Sequence, residues 1–374
     1  MDTLPTTLLE AHARIRELED RILAEEKEVE RLNRDLERKD AEIQRRRRDG
    51  LTGLFRRDEL WPHLAALIRR FMDTPVAGKL MRGLPIENLT PAEIASMNTT
   101  LIWGDLSYLA LANAYGHEVG DQVLERFGAT LQSFLDTERL ATGYDEHGEN
   151  VLLLRHFGVR HGGDEFVVIL ADTHMEEAAT LMAEMALRYK KERISRLIFP
   201  LRVDYGHCHI WEAFEAYQYW TRLRGVPRTF RDRVTLIRRI MTTIADTRSK
   251  KSKMIARIGL VARILVLQES RFTELLPYIT KGMHFPRQSL DDLVAAARVS
   301  QTETGKVLDI LALDEDVRRA VNTVFEQTQE QMRHELATLS PHNGEDLALS
   351  RLAHLATQGE MHRFLDGEVG IQTL

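Results

Sequence analysis

One cysteine stands among 374 residues. Cys208 has no second thiol with which to close an internal disulfide, and a lone cysteine in the strand-like stretch 201–209 reads as a small core residue rather than a nucleophile. Long apolar runs are also missing. None approaches the length of a membrane span, and the first residues lack the basic-then-apolar profile of a signal peptide. The expectation is a cytoplasmic protein with no membrane partner. Charge of one sign is not in excess either: 51 Lys and Arg against 57 Asp and Glu leave a net charge of -6. That balance excludes a whole-chain attraction to nucleic acid or anionic lipid and leaves only local patches. What is present is a 43% hydrophobic content, enough to bury a full core, in a chain long enough for two or three structural units.

The first of these units has a seven-residue period. Leu8, Ile15, Ile22, Val29, Leu36 and Ile43 recur at that spacing, with Ala11, Leu18 and Leu32 interleaved and charge almost everywhere else. Ile and Val on one seam position with Leu on the other favour a parallel two-stranded coiled coil over residues 1–48, although Glu25, Lys39 and Arg46 interrupt the second position. A homodimer through this helix is expected. The run Arg45 to Arg48 reads as a solvated helix face, and Gly50 and Gly53 in "DGLTGL" end or kink the helix.

From residue 49 to about 258 the pattern turns to α/β. Strands are expected at 100–103, 151–154, 166–170 and 201–209, with helices near 120–135 and 175–189. "ENVLLLRHFGVRHGGDEFVVIL" reads as strand, turn, strand, the Gly162-Gly163 pair supplying the turn. Asp164 and Glu165 then sit at a hairpin tip. Adjacent glycines let a backbone approach a ligand closely, and their N–H groups suit phosphate oxygens. Carboxylates beside them would repel phosphate unless a divalent cation lies between, and Mg²⁺ is held by one or two carboxylates together with substrate phosphates. Asp105, at the end of the apolar run in "LIWGDLSYL", is the natural third acid. Such a site supports phosphoryl or nucleotidyl transfer. The local residues alone equally allow a tip whose acids merely face water. His207 and His209 share a strand face without acid or Cys partners at a zinc spacing, and read as structural.

Four blocks, "DGLTGLFRR", "DLSYLALANAYGHEVGD", "RHGGDEF" and "LRVDYGHCHI", resemble those of the GGDEF-domain diguanylate cyclases, in that family's order and over about the middle half of the chain. The resemblance implies a palm-like α+β nucleotide-cyclase fold, flanked by the N-terminal coiled coil and by a C-terminal all-helical unit at 259–374. It implies GTP as substrate and cyclic di-GMP and pyrophosphate as products, made where two GTP-loaded domains face each other with Mg²⁺ or Mn²⁺. On the matching positions, Asp164 and Glu165 take the metal and catalytic roles, and Gly162 and Gly163 the phosphate-facing turn. Asp105 and the Leu106 carbonyl take the first metal position, and Asn113 and Asp121 read guanine. Lys250, Lys253 and Arg257 are the candidate phosphate-binding cations.

The departures are specific. Between Asn113 and "YGH" the chain is one residue short of the family pattern, and a gapless alignment puts Gly104 and Ala112 at the metal and guanine positions; the gapped one is preferred because it keeps an acid at the strand end. Ala110 stands where the family has a phosphate-contacting Lys. The product-inhibition pair of the family falls on Leu153 and His156, so feedback through it is not expected. An extra stretch before Asp105 contains "NLTPAEIAS", read as a helix capped at Thr90. In the C-terminal unit, residues 289–308 resemble a helix-turn-helix, with Leu293, Val299 and Leu308 at core-like positions, Ser300 as a cap, Arg298 replacing the turn Gly and Thr304 at an apolar position. Two alternatives to turnover therefore stay open: a nucleotide-binding sensor module, and a regulator that binds DNA or a regulatory protein through the C-terminal helices.

Overall fold

A computed structural model of the chain describes residues 8–267, apart from 85–87, 108, 146, 196 and 198–200, together with Leu349, Leu352 and Ala353. The chain divides into two units, Met1–Asp49 and Gly50–Leu374. The helix-turn-helix expected at 289–308 and nearly all of 259–374 lie outside the described residues. Among the described residues, no helix is long and apolar enough to cross a membrane.

In the first unit, α1 (Leu8–Arg47) is a continuous helix. Its seam residues Ile15, Leu18, Ile22, Val29, Leu32, Leu36 and Ile43 are all exposed. The flanks carry ion pairs at helical spacing, such as Glu28 with Arg31 and Glu42 with Arg46, which solvent screens. What the helix has to bury is its apolar stripe.

The second unit runs β1 (Phe55–Arg56), a 3-10 turn (Arg57–Glu59), α2 (Leu60–Met72), α3 (Pro75–Met81), α4 (Pro91–Ala95), β2 (Thr99–Ser107), α5 (Leu109–Ala114) and α6 (His117–Gln132). It continues through β3 (Arg139–Tyr144), β4 (Asn150–Leu154), β5 (His156–Arg160), β6 (Glu165–Ala171), α7 (Met175–Lys191), β7 (Arg202–His209), α8 (Ile210–Arg224) and α9 (Phe230–Leu267). The main sheet has the order β1-β5-β6-β2-β7, with β2 antiparallel to both neighbours and β1 parallel to β5. Read from β2, the connection β-α-β-β-α-β with β2 and β6 central is the split βαβ arrangement, here extended by an edge strand. This is the palm-like mixed fold.

Side chains alternate across the central strands, and each face has its own core. Leu101, Trp103, Val167, Ile169 and Cys208 pack with α2, α8 and α9 through Leu64, Ile68, Phe214, Ile237 and Ile244. Ile102, Leu106, Phe166, Val168 and Leu170 pack with α6 and α7 through Val123, Phe127, Met182 and Tyr189. Near-continuous apolar runs in β2 and β6 follow from burial on both faces.

Thr90 caps α4 with a full capping box, its hydroxyl and Glu93 bonding each other's backbone N–H. Other expectations need correction. The stretch before the glycine turn is not one strand: it breaks at Arg155, whose N–H donates to Glu138 O (2.9 Å) and whose carbonyl accepts from Ala171 N (2.7 Å). β4 accordingly pairs with β3 in a separate two-stranded sheet, while β5 joins the main sheet. The helix α9 continues through position 258 to Leu267, and nearly all of the 259–374 unit that the boundary there would open lies outside the described residues.

Leu349, Leu352 and Ala353, near the C-terminus, belong to the core cluster on the α2, α8 and α9 side, each almost wholly buried. Leu352→Ala should therefore lower unfolding stability by about 2–5 kcal/mol in a urea melt, the usual cost of such a cavity.

A buried polar seam at the far end of β7 has a pH signature. His209 is buried, and Thr100 Oγ1 lies 2.7 Å from its Nδ1. Burial holds its pKa down at about 4. Since the unfolded imidazole binds a proton from near 6.5 downward and the folded one does not, stability is complete above that pH and falls as the pH drops toward 4. Urea melts between pH 7 and 4.5 should show a loss of up to about 3 kcal/mol attributable to this group, reduced in His209→Gln.

Candidate active site

The sheet end at which β2 and β5 finish and β6 and β7 begin gathers the acids. Antiparallel register sets Asp105 opposite Glu165 on one side and opposite Asp204 on the other. Directly opposed residues point to the same face, so three carboxylates line one face in a row. Gly104 belongs to the other face, where the Phe166 ring lies against it, and Ala112 is buried. The gapless alignment would put metal and guanine roles on these two residues, neither of which brings a side-chain oxygen.

Leu106 N donates to Asp164 O (2.9 Å). In an antiparallel strand a residue's C=O points to the same side as its N–H, so the Leu106 carbonyl faces the glycine turn. The turn is held from below: His161 N and Gly162 N both donate to Glu165 O (2.8 and 3.1 Å). The Arg160 guanidinium donates to Gly162 O (3.2 Å) and Gly163 O (2.9 Å), which turns these carbonyls inward and leaves the side at Gly163 open. Arg160 was legible in "RHGGDEF" as a residue but not as the clamp of the turn. His161, packed on Trp103 at 4.5 Å between ring centres, places Nδ1 3.3 Å from Glu165 Oε2. Burial pushes the His161 pKa below the ordinary histidine value.

Of the three expected cations, Lys253 reaches the acids. Its ammonium bonds Asp105 Oδ2 and lies 3.9 Å from Asp164 Oδ2. Lys250 instead pairs with Asp246 (2.6 Å) along the same helix and is largely exposed. Arg257 lies one turn beyond Lys253 on α9. Asn113 on α5 packs against α6 at Gly120, the residue before Asp121. A Cβ at Gly120 would strike the Asn113 amide oxygen. Asp121 itself is exposed, as is Ala110. Gly120→Ala should thus displace the Asn113 amide at small cost in melting temperature, since the group that must move is the end of a side chain.

Asp204 was not singled out from sequence. It occupies the same strand phase as Gly206 and Cys208, so an acid at a core-phase position was the available signal.

Among the described residues no group of three or more His, Cys, Asp or Glu is arranged to hold a metal ion. The donor set nevertheless fits one. Asp105, Asp164 and the Leu106 carbonyl are hard oxygen donors of the kind Mg²⁺ takes, and the Lys253 ammonium already places positive charge between the two carboxylates.

Neither a family model nor a curated protein matches the chain. Solved structures do. A sensory box/GGDEF family protein from Caulobacter crescentus is 24% identical over 43% of this chain and 82% of its own, with a TM-score of 0.30. The coiled coil and GGDEF domain of DgcB from the same organism, in complex with c-di-GMP, is 20% identical over 56% of this chain and 95% of its own, with a TM-score of 0.31. The active GGEEF domain of a diguanylate cyclase from Vibrio cholerae is 20% identical over 46% of this chain and 92% of its own, with a TM-score of 0.28. These are GGDEF-domain structures. In this chain the GGDEF string is Gly162 to Phe166, with Phe166 buried against Phe127 and the first four residues at the sheet end described above. At such identities and TM-scores, what the site does rests on its own geometry.

Proposed function

We propose that the chain is a diguanylate cyclase that condenses two GTP into cyclic di-GMP and two pyrophosphates. The observation that carries the reading is the juxtaposition of Asp105, Asp164, Glu165 and Lys253 beside an open glycine turn. Asp105, Asp164, Glu165 and the Leu106 carbonyl would hold Mg²⁺ or Mn²⁺. When bound, the metal supplies charge neutralisation at the α-phosphate and a lowered pKa at the attacking hydroxyl. The turn accepts the phosphates on its Gly163 side, the Gly162 N–H being given to Glu165 O, and Lys253, released from Asp105 toward the triphosphate, balances their charge, with Lys250 and Arg257 as further candidates on α9. Asn113 and Asp121 read the guanine edge, which adenine does not match. Glu165 takes the proton of the 3′-hydroxyl as it attacks the partner nucleotide's α-phosphate and pyrophosphate leaves.

Each domain supplies one GTP, so two must face each other. The exposed heptad stripe of α1 suits a parallel coiled coil with a second copy. The same helix gives a homodimer at working concentration, to be read by light scattering. The product assay is incubation with GTP and Mg²⁺ or Mn²⁺, followed by chromatography for cyclic di-GMP.

One observation favours a second reading. Ala110 is exposed at the position where the family has its Lys, and Lys253 lies on the carboxylates themselves. A module that binds GTP without turnover would show saturable GTP binding and no product.

A further inference from the structure

We infer that Asp204 is a positioning residue that sets the Lys253 ammonium on the carboxylates of Asp105 and Asp164. The inference rests on the reading of that cluster as a metal and triphosphate site. Asp204 lies directly across from Asp105, and its side chain is 0% exposed. A carboxylate so buried is costly unless its lone pairs are met.

They are met from three elements. Ser107 Oγ on β2 donates to Oδ2, Arg202 Nε on β7 donates to Oδ1 (2.9 Å), and Ser252 Oγ on α9 also donates to Oδ1 (3.2 Å). The Asp204 carbonyl accepts from Ser249 Oγ (3.4 Å), one turn earlier on α9. Ser252 immediately precedes Lys253. Beside this junction α9 rests on bare backbone: a Cβ at Gly206 would strike Ala245 O and Ser249 N. Backbone contact fixes the height of α9 over β7, and one turn before Ser252 the Arg248 guanidinium bonds His207 O (2.7 Å) and the Glu212 carboxylate (2.7 Å). The Asp204 to Ser252 bond carries that hold on to the turn from which Lys253 projects.

The charges interleave accordingly. Glu165, Asp105 and Asp204 form the row of acids, Lys253 answers Asp105 and Asp164, and Arg202 answers Asp204. Asp204 is not placed as a metal ligand, because Ser107, Arg202 and Ser252 already take its oxygens. Without it, Ser252 loses its acceptor, the turn that carries Lys253 loses its side-chain bond to β7, and the hold of Lys253 on Asp105 loosens.

The test uses the full-length protein and does not depend on turnover. Trace acetylation with acetic anhydride, read by peptide mass spectrometry, gives the reactivity of Lys253 relative to Lys250, whose side chains are 20% and 68% exposed on the same helix. In the native protein Lys253 should be the slower. Asp204→Ala should raise the ratio roughly tenfold, the scale of one lost hydrogen bond to a charged group, as should Asp105→Asn. Asp204→Asn, which keeps the side-chain volume, should raise it by less and serves if the alanine variant fails to fold. An unchanged ratio in the folded Asp204 variants, while Asp105→Asn raises it, overturns the inference. A double-mutant cycle on Mg²⁺-GTP binding gives the second readout. Loss of Asp204 should add nothing once Lys253→Met is present, whereas additive losses would overturn positioning through Lys253. If Lys253→Met alone leaves GTP binding intact, the phosphate role of Lys253 falls, while the acetylation ratio still decides the role of Asp204.

Discussion

Glu165→Gln should lower cyclic di-GMP formation by roughly 10³-fold or more, the scale expected when a general base in a phosphoryl-transfer site is removed. The substitution keeps the size of the side chain and its capacity to accept from His161 Nδ1. Glu165 is also 41% exposed, so the fold has little at stake. Thermal unfolding should shift by less than about 0.5 kcal/mol, as for other surface replacements. The backbone bonds that define the turn run through the Glu165 carbonyl and not its carboxylate, and they survive. GTP binding should therefore persist while product disappears. Full turnover in this variant would remove Glu165 from the proton transfer.

Asp105→Asn should cost about 10²–10³-fold in turnover, as expected when one of the carboxylates that hold a catalytic cation loses its charge. Its effect differs in kind from that of Glu165. Asp105 is the residue that both Lys253 and the proposed cation share, so its loss should raise the Mg²⁺ concentration for half-maximal activity and weaken GTP binding together. It also breaks a largely buried ion pair, leaving Lys253 with Asp164 at 3.9 Å, and should lower stability by about 1–3 kcal/mol. Calorimetric Mg²⁺ and GTP titrations, run beside a urea melt, separate the two losses. An unaltered Mg²⁺ dependence would place the cation elsewhere.

The parts of the fold that sequence exposes are those in which one residue pattern fixes one element. The heptads of α1, the apolar run into Asp105 and the GG turn are local signals, and each falls where the pattern puts it. β5 was less legible, because Arg155 changes strand partners through bonds to Glu138 and Ala171, residues distant in the chain. The choice between Asp105 and Gly104 was likewise not local. It turns on which face of β2 each side chain takes, and the pairing with β6 and β7 sets that. Asp204 stayed hidden for the same reason. Its donors come from β2, β7 and α9, and only the docking of α9 brings Ser252 beside it. Lys253 and Lys250 look alike in the string "SKKSK" and stand one turn apart on one helix, yet one meets Asp105 and the other Asp246, a difference that only the docking of α9 against the sheet sets.

The central claim is that this sheet end joins two GTP molecules, and the measurement that tests it most directly is a product balance on the purified native protein. With GTP and Mg²⁺ or Mn²⁺, one cyclic di-GMP should appear for every two GTP consumed and two pyrophosphates released, at a rate that Glu165→Gln abolishes. GTP that binds saturably and is recovered unchanged from native dimer, at every protein and metal concentration tested, would contradict it.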